Sequence, residues 1–161
     1  MNFHATFIHI NLIARDWRKL AAFYLQVLGC TPASPELDLR GEWLERGTGV
    51  AGACVQGIHL RLPGFGDTGP ILEIFQYIEN VDTPPHPANR IGFTHLAFDV
   101  EDVGIAYQAA LSAGGTALGT VESVNIPGMG RVTWTYVRDP EGNIVELLKK
   151  DPDSAKSNQQ I

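Results

Sequence analysis

Two glutamates of this chain lie within otherwise apolar segments. Glu73 is flanked by isoleucine, leucine and phenylalanine in "ILEIFQY", and Glu146 has a similar position in "NIVELLKK". Removing a carboxylate from water is unfavourable by several kcal/mol unless the charge is paired or bound to a metal. Both glutamates therefore need a partner, and their matching surroundings suggest a shared one.

A repeat within the chain supplies candidate partners. The segment "FIHINLIARDW" aligns without a gap with "FTHLAFDVEDV", so that His9 matches His95, and the two glutamate segments align with Glu73 on Glu146. Two imidazoles and two carboxylates form a nitrogen and oxygen donor set that suits a divalent metal such as zinc, nickel, cobalt or manganese. Because two accidents would have to fall on equivalent positions, we predict one metal ion bound by all four.

Strand and helix signals recur in both halves and would position these residues. Each half opens with a strand of about six residues, turns at an aspartate suited to cap a helix, and continues with apolar residues at helical spacing. The capping aspartates are Asp16 and Asp102. Further strands are predicted over residues 52–62 and 131–138. We therefore expect an α+β fold of two βαβββ modules, with an insertion in the first within residues 35–49.

Alternate residues of a strand share a face, which identifies further residues near the predicted ligands. Asn11 shares the face of His9, and Phe75 and Tyr77 share the face of Glu73. If the sheets of the two halves curve together, these side chains line one pocket. We add Trp134 as a candidate lining residue and Arg131, which follows the glycine-rich "NIPGMG", as a contact for an anionic substrate.

Length and composition limit the possible partners. The 161 residues predict a single domain with module 1 at about 5–78, a proline-rich linker at 79–90, module 2 at about 91–150 and a polar tail at 151–161. The net charge of −6, with scattered lysines and arginines, argues against nucleic acid or an anionic membrane as partner. The partners that remain possible are a small molecule, another protein or a second copy of this chain.

The expected compartment follows from the N-terminus and the cysteines. The first residues lack the features of a secretory signal, and no apolar stretch approaches the roughly 20 residues that cross a bilayer. Cys30 and Cys54 form neither a CxxC pair nor a disulfide framework, and we expect both to be small apolar core residues. These features predict a cytoplasmic protein.

The pattern resembles the vicinal oxygen chelate superfamily, which includes glyoxalase I, methylmalonyl-CoA epimerase, extradiol dioxygenases and bleomycin-binding proteins. The segments that carry the resemblance are "HINLIARDWRKLAAFYLQVLG", "GPILEIFQY", "GFTHLAFDVEDV" and "RDPEGNIVELL". The resemblance implies two modules that form a cupped mixed sheet around a metal, with His9, Glu73, His95 and Glu146 as ligands. It also implies a homodimer.

The ligand set resembles those of glyoxalase I and methylmalonyl-CoA epimerase. This implies an isomerase or lyase that acts on a small α-oxygenated carbonyl compound or thioester, with Glu146 as the base that removes a proton and Glu73 as second ligand or partner acid. Ile13 and Tyr77 stand where glutathione-dependent relatives carry arginine and asparagine, so glutathione should not be required. The alternative is a binding protein of the bleomycin-resistance type, and an iron-dependent dioxygenase ranks below both.

Overall fold

The computed structural model describes residues 4–151, so the predicted polar tail lies outside the described residues except for Asp151. The chain divides between Thr83 and Pro84 into two compact units. The elements of the first unit are β1 (His9–Ile13), α1 (Trp17–Leu28), β2 (Thr31–Pro32), β3 (Leu37–Arg40), α2 (Glu42–Thr48), β4 (Cys54–Arg61), a 3₁₀ turn (Gly66–Thr68) and β5 (Ile71–Tyr77). Those of the second unit are β6 (His95–Asp99), α3 (Val103–Ser112), β7 (Thr116–Ala117), β8 (Glu122–Ile126), β9 (Gly130–Arg138) and β10 (Ile144–Asp151).

The described strands of each unit form a five-stranded mixed sheet with the same connectivity. In the first unit β5 lies between β1 and β4, and β4 also pairs with β2 and β3. The β1–β5 pair is parallel and the other pairs are antiparallel. In the second unit β10 lies between β6 and β9, the β6–β10 pair is parallel, and β9 also pairs with β7 and β8. The prediction of an α+β fold with two similar modules is confirmed.

The units differ where the sequence predicts an insertion. Helix α2 of the first unit lies within residues 35–49, and the described residues of the second unit contain no counterpart. The predicted strands over residues 52–62 and 131–138 correspond to β4 and β9. Strand β8 is not evident from the sequence because four of its five residues are exposed, so it lacks apolar alternation. The glycine-rich "NIPGMGR" forms the hairpin turn from β8 into β9.

A helix follows the first strand of each unit and begins at the predicted aspartate. The Asp16 carboxylate accepts a hydrogen bond from the backbone N–H of Lys19 at 3.0 Å, and Asp102 accepts one from Ile105 at 2.9 Å. These N–H groups have no partner within the helix, so each cap stabilises the helix start. Helix α1 ends at Gly29, whose φ of 69° lies in the left-handed region.

One face of each sheet packs against its helix. Helix α1 contacts β4 and β5, and α3 contacts β9 and β10. Fully burying one leucine or isoleucine contributes about 1.5–3 kcal/mol, so these interfaces supply much of each unit's stability. The buried side chains on the helix-facing sides of the sheets include Leu60, Leu72, Ile74, Val137, Val145 and Leu147. Because Glu73 and Glu146 alternate with these residues along β5 and β10, both glutamates lie on the opposite face.

The two cysteines have different surroundings. Cys30 is buried at 3% exposure, and burial raises the pKa of its thiol to about 11. The thiolate is the nucleophile, so Cys30 is unreactive near neutral pH, as expected of an apolar core residue. Cys54 is half-buried and is also a free thiol.

Equivalent arginines fix the loops that lead into the glutamate strands. Arg61 Nη1 donates to the backbone oxygen of Asp67 at 2.6 Å, and Arg138 Nη1 donates to that of Gly142 at 2.8 Å. In the second unit the buried Asp139 carboxylate also accepts hydrogen bonds from the backbone N–H groups of Glu141 and Asn143. Hydrogen bonds from or to charged groups contribute about 1.5–3 kcal/mol each. They set where β5 and β10 begin.

We expect Gly57→Ala to destabilise the first unit. A Cβ atom at Gly57 would lie 2.1 Å from the backbone oxygen of Ile74 and 2.4 Å from Cδ1 of Phe75. Because the backbone of β5 must shift to relieve this overlap, we expect a loss of about 1–3 kcal/mol in the free energy of unfolding. Urea unfolding of Gly57→Ala and of the wild type measures this difference in the free energy of unfolding.

Gly47→Ala is the matched control for Gly57→Ala. Gly47 lies in helix α2, and a Cβ atom there would have no neighbour within 4 Å. Alanine in a helix is favoured over glycine by about 0.5–1 kcal/mol, so this variant should be at least as stable as the wild type. Equal stability of both variants would contradict the close strand packing at Gly57.

Candidate functional site

In the first unit, three strands bring polar side chains together at Glu73. Asn11 of β1 and His59 of β4 are the residues directly opposite Glu73 of β5 in the sheet. His59 Nε2 lies 3.1 Å from Glu73 Oε1, and His9 Nε2 lies 3.5 Å from Glu73 Oε2. Asn11 Nδ2 donates a hydrogen bond to the same Oε2 at 3.3 Å. The histidines therefore contact different oxygens of one carboxylate.

In the second unit, His95 and Glu146 form the corresponding pair. His95 Nε2 lies 3.3 Å from Glu146 Oε2. The residues opposite Glu146 in the sheet are Ala97 and Tyr136, and the Tyr136 ring lies against the His95 ring with centroids 5.2 Å apart. Desolvation, together with the charge of Glu146, raises the pKa of Tyr136 above its usual value of 10.0. The phenol is therefore neutral at physiological pH.

The register of the two pairs is the same. His9 lies opposite Ile71, two residues before Glu73, and His95 lies opposite Ile144, two residues before Glu146. The exposed fractions of the side chains are also similar, at 15% for Glu73 and 19% for Glu146. Each half therefore presents one shielded carboxylate beside one more accessible imidazole, on the sheet face away from α1 in the first unit and from α3 in the second.

The chemistry of these pairs fits a divalent metal. A histidine nitrogen and a carboxylate oxygen bound to one tetrahedral zinc ion lie about 2.0–2.2 Å from it, and therefore roughly 3.3–3.5 Å from each other. The nitrogen–oxygen distances within the two predicted ligand pairs, 3.5 and 3.3 Å, are close to this range. Within residues 4–151 no group of three or more His, Cys, Asp or Glu is arranged to hold a metal ion. The four-ligand site therefore stays a prediction.

The remaining predicted pocket residues have varied surroundings. The Phe75 ring lies against His59 with ring centroids 5.7 Å apart. The rings of Trp134 and Tyr136 form an edge-to-face pair with centroids 5.2 Å apart. Arg131 lies at the start of β9, where its Nε donates to Ser123 Oγ at 3.0 Å. Phe75 and Trp134 thus neighbour aromatic residues that flank the two glutamates.

Tyr77 lies at the end of β5, farther from Glu73. It packs against a small cluster of buried residues next to helix α2, namely Leu44, Ala53 and Val55. It also lines a cavity of about 370 Å³ formed by residues 50–54 and 77–81. The insertion of the first unit therefore builds part of the environment of Tyr77.

Comparison with known proteins identifies the family. Residues 6–147 match the family described as the Glyoxalase/Bleomycin resistance protein/Dioxygenase superfamily. The chain belongs to this superfamily. Glyoxalase superfamily members commonly bind small molecules and commonly use a divalent metal. Within the described residues of this member, no helix is both long and apolar enough to cross a membrane.

Individual relatives agree with this assignment. The uncharacterized protein YaeR of Escherichia coli K12 is 25% identical over 143 residues, which cover 88% of this chain and 94% of YaeR. A glyoxalase family protein from Bacillus cereus has a similar structure, with a TM-score of 0.77 at 20% identity, over 92% of this chain and 96% of that one. Glyoxalase I from Zea mays, solved as a V278E mutant, gives a TM-score of 0.63 at 18% identity over 88% of this chain and 45% of that one. At these identities the structures share the fold alone.

Proposed function

We propose that this member of the glyoxalase superfamily is a metal-dependent isomerase or lyase. Its substrate would be a small α-oxygenated carbonyl compound or thioester from which a proton is removed. The main observation in support is the His–Glu pair that recurs in both units at the same register, as His9 with Glu73 and His95 with Glu146. One pair has an ordinary structural explanation, whereas an equivalent pair in each half favours a shared chemical role.

These four residues are the proposed ligands of one divalent ion. When bound, the ion stabilises negative charge that develops on the substrate oxygens. The proposed task of Glu146 is to accept the proton from the carbon between those oxygens, and a carboxylate can do so if it lies within about 3 Å. Glu73 contacts two histidines and an asparagine, whereas Glu146 contacts His95. Besides the paired histidine that each half has, His59 and Asn11 face both oxygens of Glu73, which leaves Glu146 more accessible to a substrate proton.

Substrate would be held by the side chains that surround the glutamates. Asn11, Phe75 and Trp134 lie on or beside the glutamate faces, and the Arg131 guanidinium is exposed for an anionic group. Tyr77 is the least direct candidate, because it lies four residues after Glu73 and lines the cavity formed by residues 50–54 and 77–81.

A binding protein of the bleomycin-resistance type is the second candidate. The observation in its favour is the edge-to-face pair of Trp134 and Tyr136, since paired aromatic rings suit a flat ligand. Such a protein would bind its ligand without exchanging protons on it. An iron-dependent dioxygenase would instead consume oxygen.

One experiment separates the isomerase or lyase from the binding protein. The purified protein is analysed for metal, loaded with zinc, nickel, cobalt or manganese, and incubated in D₂O with hydroxyacetone, dihydroxyacetone and 2-methyl-branched acyl thioesters. Proton NMR measures loss of the signal at the carbon beside the carbonyl. We expect exchange only with metal and protein together. Metal-free protein as purified, with no exchange after loading, would favour the binding protein.

Glutathione is not expected to be a required co-substrate. Ile13 and Tyr77 offer no charged or amide group for it, and loss of a buried ionic contact is worth roughly 2–5 kcal/mol. With methylglyoxal and glutathione, formation of lactoylglutathione should therefore be slow. A kcat/KM within the range of about 10⁴–10⁸ M⁻¹s⁻¹ that is usual for enzymes on their own substrates would contradict this.

We also propose that the protein is a homodimer, as the family resemblance implies, and that it is cytoplasmic, as its cysteine usage predicts. Light scattering at micromolar concentration should give about twice the mass of the 161-residue chain. The mass of a single chain at the same concentration would count against the dimer.

A further inference from the structure

The proposed function gives no role to His59 of the first unit, although this histidine lies beside Glu73. His59 lies directly opposite Glu73 in the sheet, with its Nε2 3.1 Å from Glu73 Oε1. The other carboxylate oxygen, Oε2, faces His9 and Asn11. His59 therefore approaches the carboxylate from the side that the proposed ligand His9 does not occupy.

His59 is itself held in place. Its backbone N–H donates to Ser34 Oγ at 3.1 Å, and its backbone oxygen accepts from Ala33 at 2.8 Å. Its ring lies against Phe75, and 27% of the side chain is exposed. A side chain with fixed backbone and packed ring can orient a neighbouring carboxylate.

The second unit lacks this arrangement. Tyr136 occupies the position opposite Glu146, and its ring contacts His95 and Trp134. Within the described residues, the ion-pair partner of Glu146 is His95, which faces Oε2. The two glutamates therefore have equivalent positions but different surroundings. His59 and Asn11 lie opposite Glu73, whereas Tyr136 and Ala97 lie opposite Glu146.

We propose that His59 is a positioning residue that donates its Nε2–H to Oε1 of Glu73. This hydrogen bond holds Glu73 with Oε2 toward His9, as a ligand that does not take the proton. Oε1 of Glu146 receives no such hydrogen bond from the residue opposite it, so this oxygen can accept the proton from the substrate. The assignment of ligand and base rests on the proposed function, whereas the hydrogen bond between His59 and Glu73 does not.

The experiment compares zinc affinity by competition with a chromophoric chelator. His59→Leu removes the donor and should weaken zinc binding by about 10–100-fold, as loss of an outer hydrogen-bond partner of a ligand does. His59→Gln keeps an N–H at a similar distance from the backbone and should restore most of the affinity. His4→Leu, the same substitution at an exposed histidine before β1, should stay within about twofold of the wild type.

Three results with these variants would overturn the proposal. Unchanged affinity in His59→Leu would remove His59 from any role at the metal. An equal loss in His59→Gln would show that the donated hydrogen bond is not what matters. A changed visible spectrum of the Co²⁺-loaded His59→Gln protein, together with a loss well beyond 100-fold, would make His59 a ligand itself.

A second measurement judges the hydrogen bond without metal. Long-range ¹H–¹⁵N NMR of the metal-free protein should find a proton on Nε2 of His59, assigned by its loss in His59→Gln. A proton on Nδ1 alone would overturn the proposal even if zinc binds. If the wild type binds no metal, the proposed function fails, while a protonated Nε2 would still support the contact with Glu73.

Discussion

Glu146→Gln is expected to lower the rate of deuterium exchange into the substrate by about 10²–10⁴, and Glu73→Gln is expected to lower it less. Glutamine keeps an oxygen that can bind a metal, but its amide does not accept a proton at neutral pH. If the two carboxylates were ligands and nothing more, both substitutions would weaken metal binding alike. If Glu146 is the base, the rate of deuterium exchange at equal metal content should be lower in Glu146→Gln than in Glu73→Gln.

The unequal surroundings of the glutamates supply the physical reason. Besides its paired histidine His9, Glu73 has His59 Nε2 3.1 Å from Oε1 and accepts a hydrogen bond from Asn11 on Oε2, so donors face both of its oxygens. Carboxylate oxygens that already face donors are less accessible to a proton on the substrate carbon. Glu146 has one histidine beside Oε2. Its other oxygen is the better acceptor for a proton from carbon.

The measurement requires both variants at equal metal content. Each is loaded to the wild-type metal-to-protein ratio, and exchange is followed by proton NMR on the panel compound that the wild type exchanges fastest. Circular dichroism confirms that both variants are folded. Equal exchange rates would exclude Glu146 as the sole base, and faster exchange in Glu146→Gln would assign that role to Glu73.

The internal repeat explains how much of the site is predictable from the sequence. It aligns His9 with His95 and Glu73 with Glu146, and strand alternation assigns each residue to the face away from the helices. The structure places each histidine within 3.5 Å of its glutamate. One alignment and the alternation of strand residues are therefore enough to predict both pairs, whereas the metal stays a prediction.

His59 shows why the other residues of the site are not predictable from the sequence. The repeat gives it no histidine partner, since the equivalent residue is Tyr136. Its contact with Glu73 depends on the register between β4 and β5, which the intervening loop sets through Arg61 and Asp67. A shift of one residue would point His59 to the other face. Sequence alternation does not fix that register, so His59 resembles an ordinary strand histidine.

The fold, like the site, is predictable from the sequence only where an element depends on local contacts. The helices are evident because their caps are local, and Asp16 and Asp102 bind N–H groups three residues away. Strand β8 has exposed residues on both faces and is defined by pairing with β9. Elements that depend on long-range pairing rather than on their own apolar pattern are those that the sequence does not reveal.

His9→Ala and His95→Ala are each expected to reduce bound metal from about one ion per chain to near zero. Each removes an imidazole from a set of four donors, which is a larger change than the loss of an outer partner that weakens binding about 10–100-fold. Removal also leaves the paired glutamate without the imidazole that lies 3.5 or 3.3 Å away. Because the glutamates remain mostly shielded, we expect a modest loss of stability as well.

Metal analysis after dialysis, with zinc competition for weak binding, measures this expectation. His4→Ala is the matched control, since His4 is exposed and precedes β1, and its metal content should equal that of the wild type. Loss of metal in one histidine variant alone would place the site within a single unit. Because the proposed site needs an imidazole from each unit, that result, or unchanged metal in both variants, would disprove the four-ligand assignment.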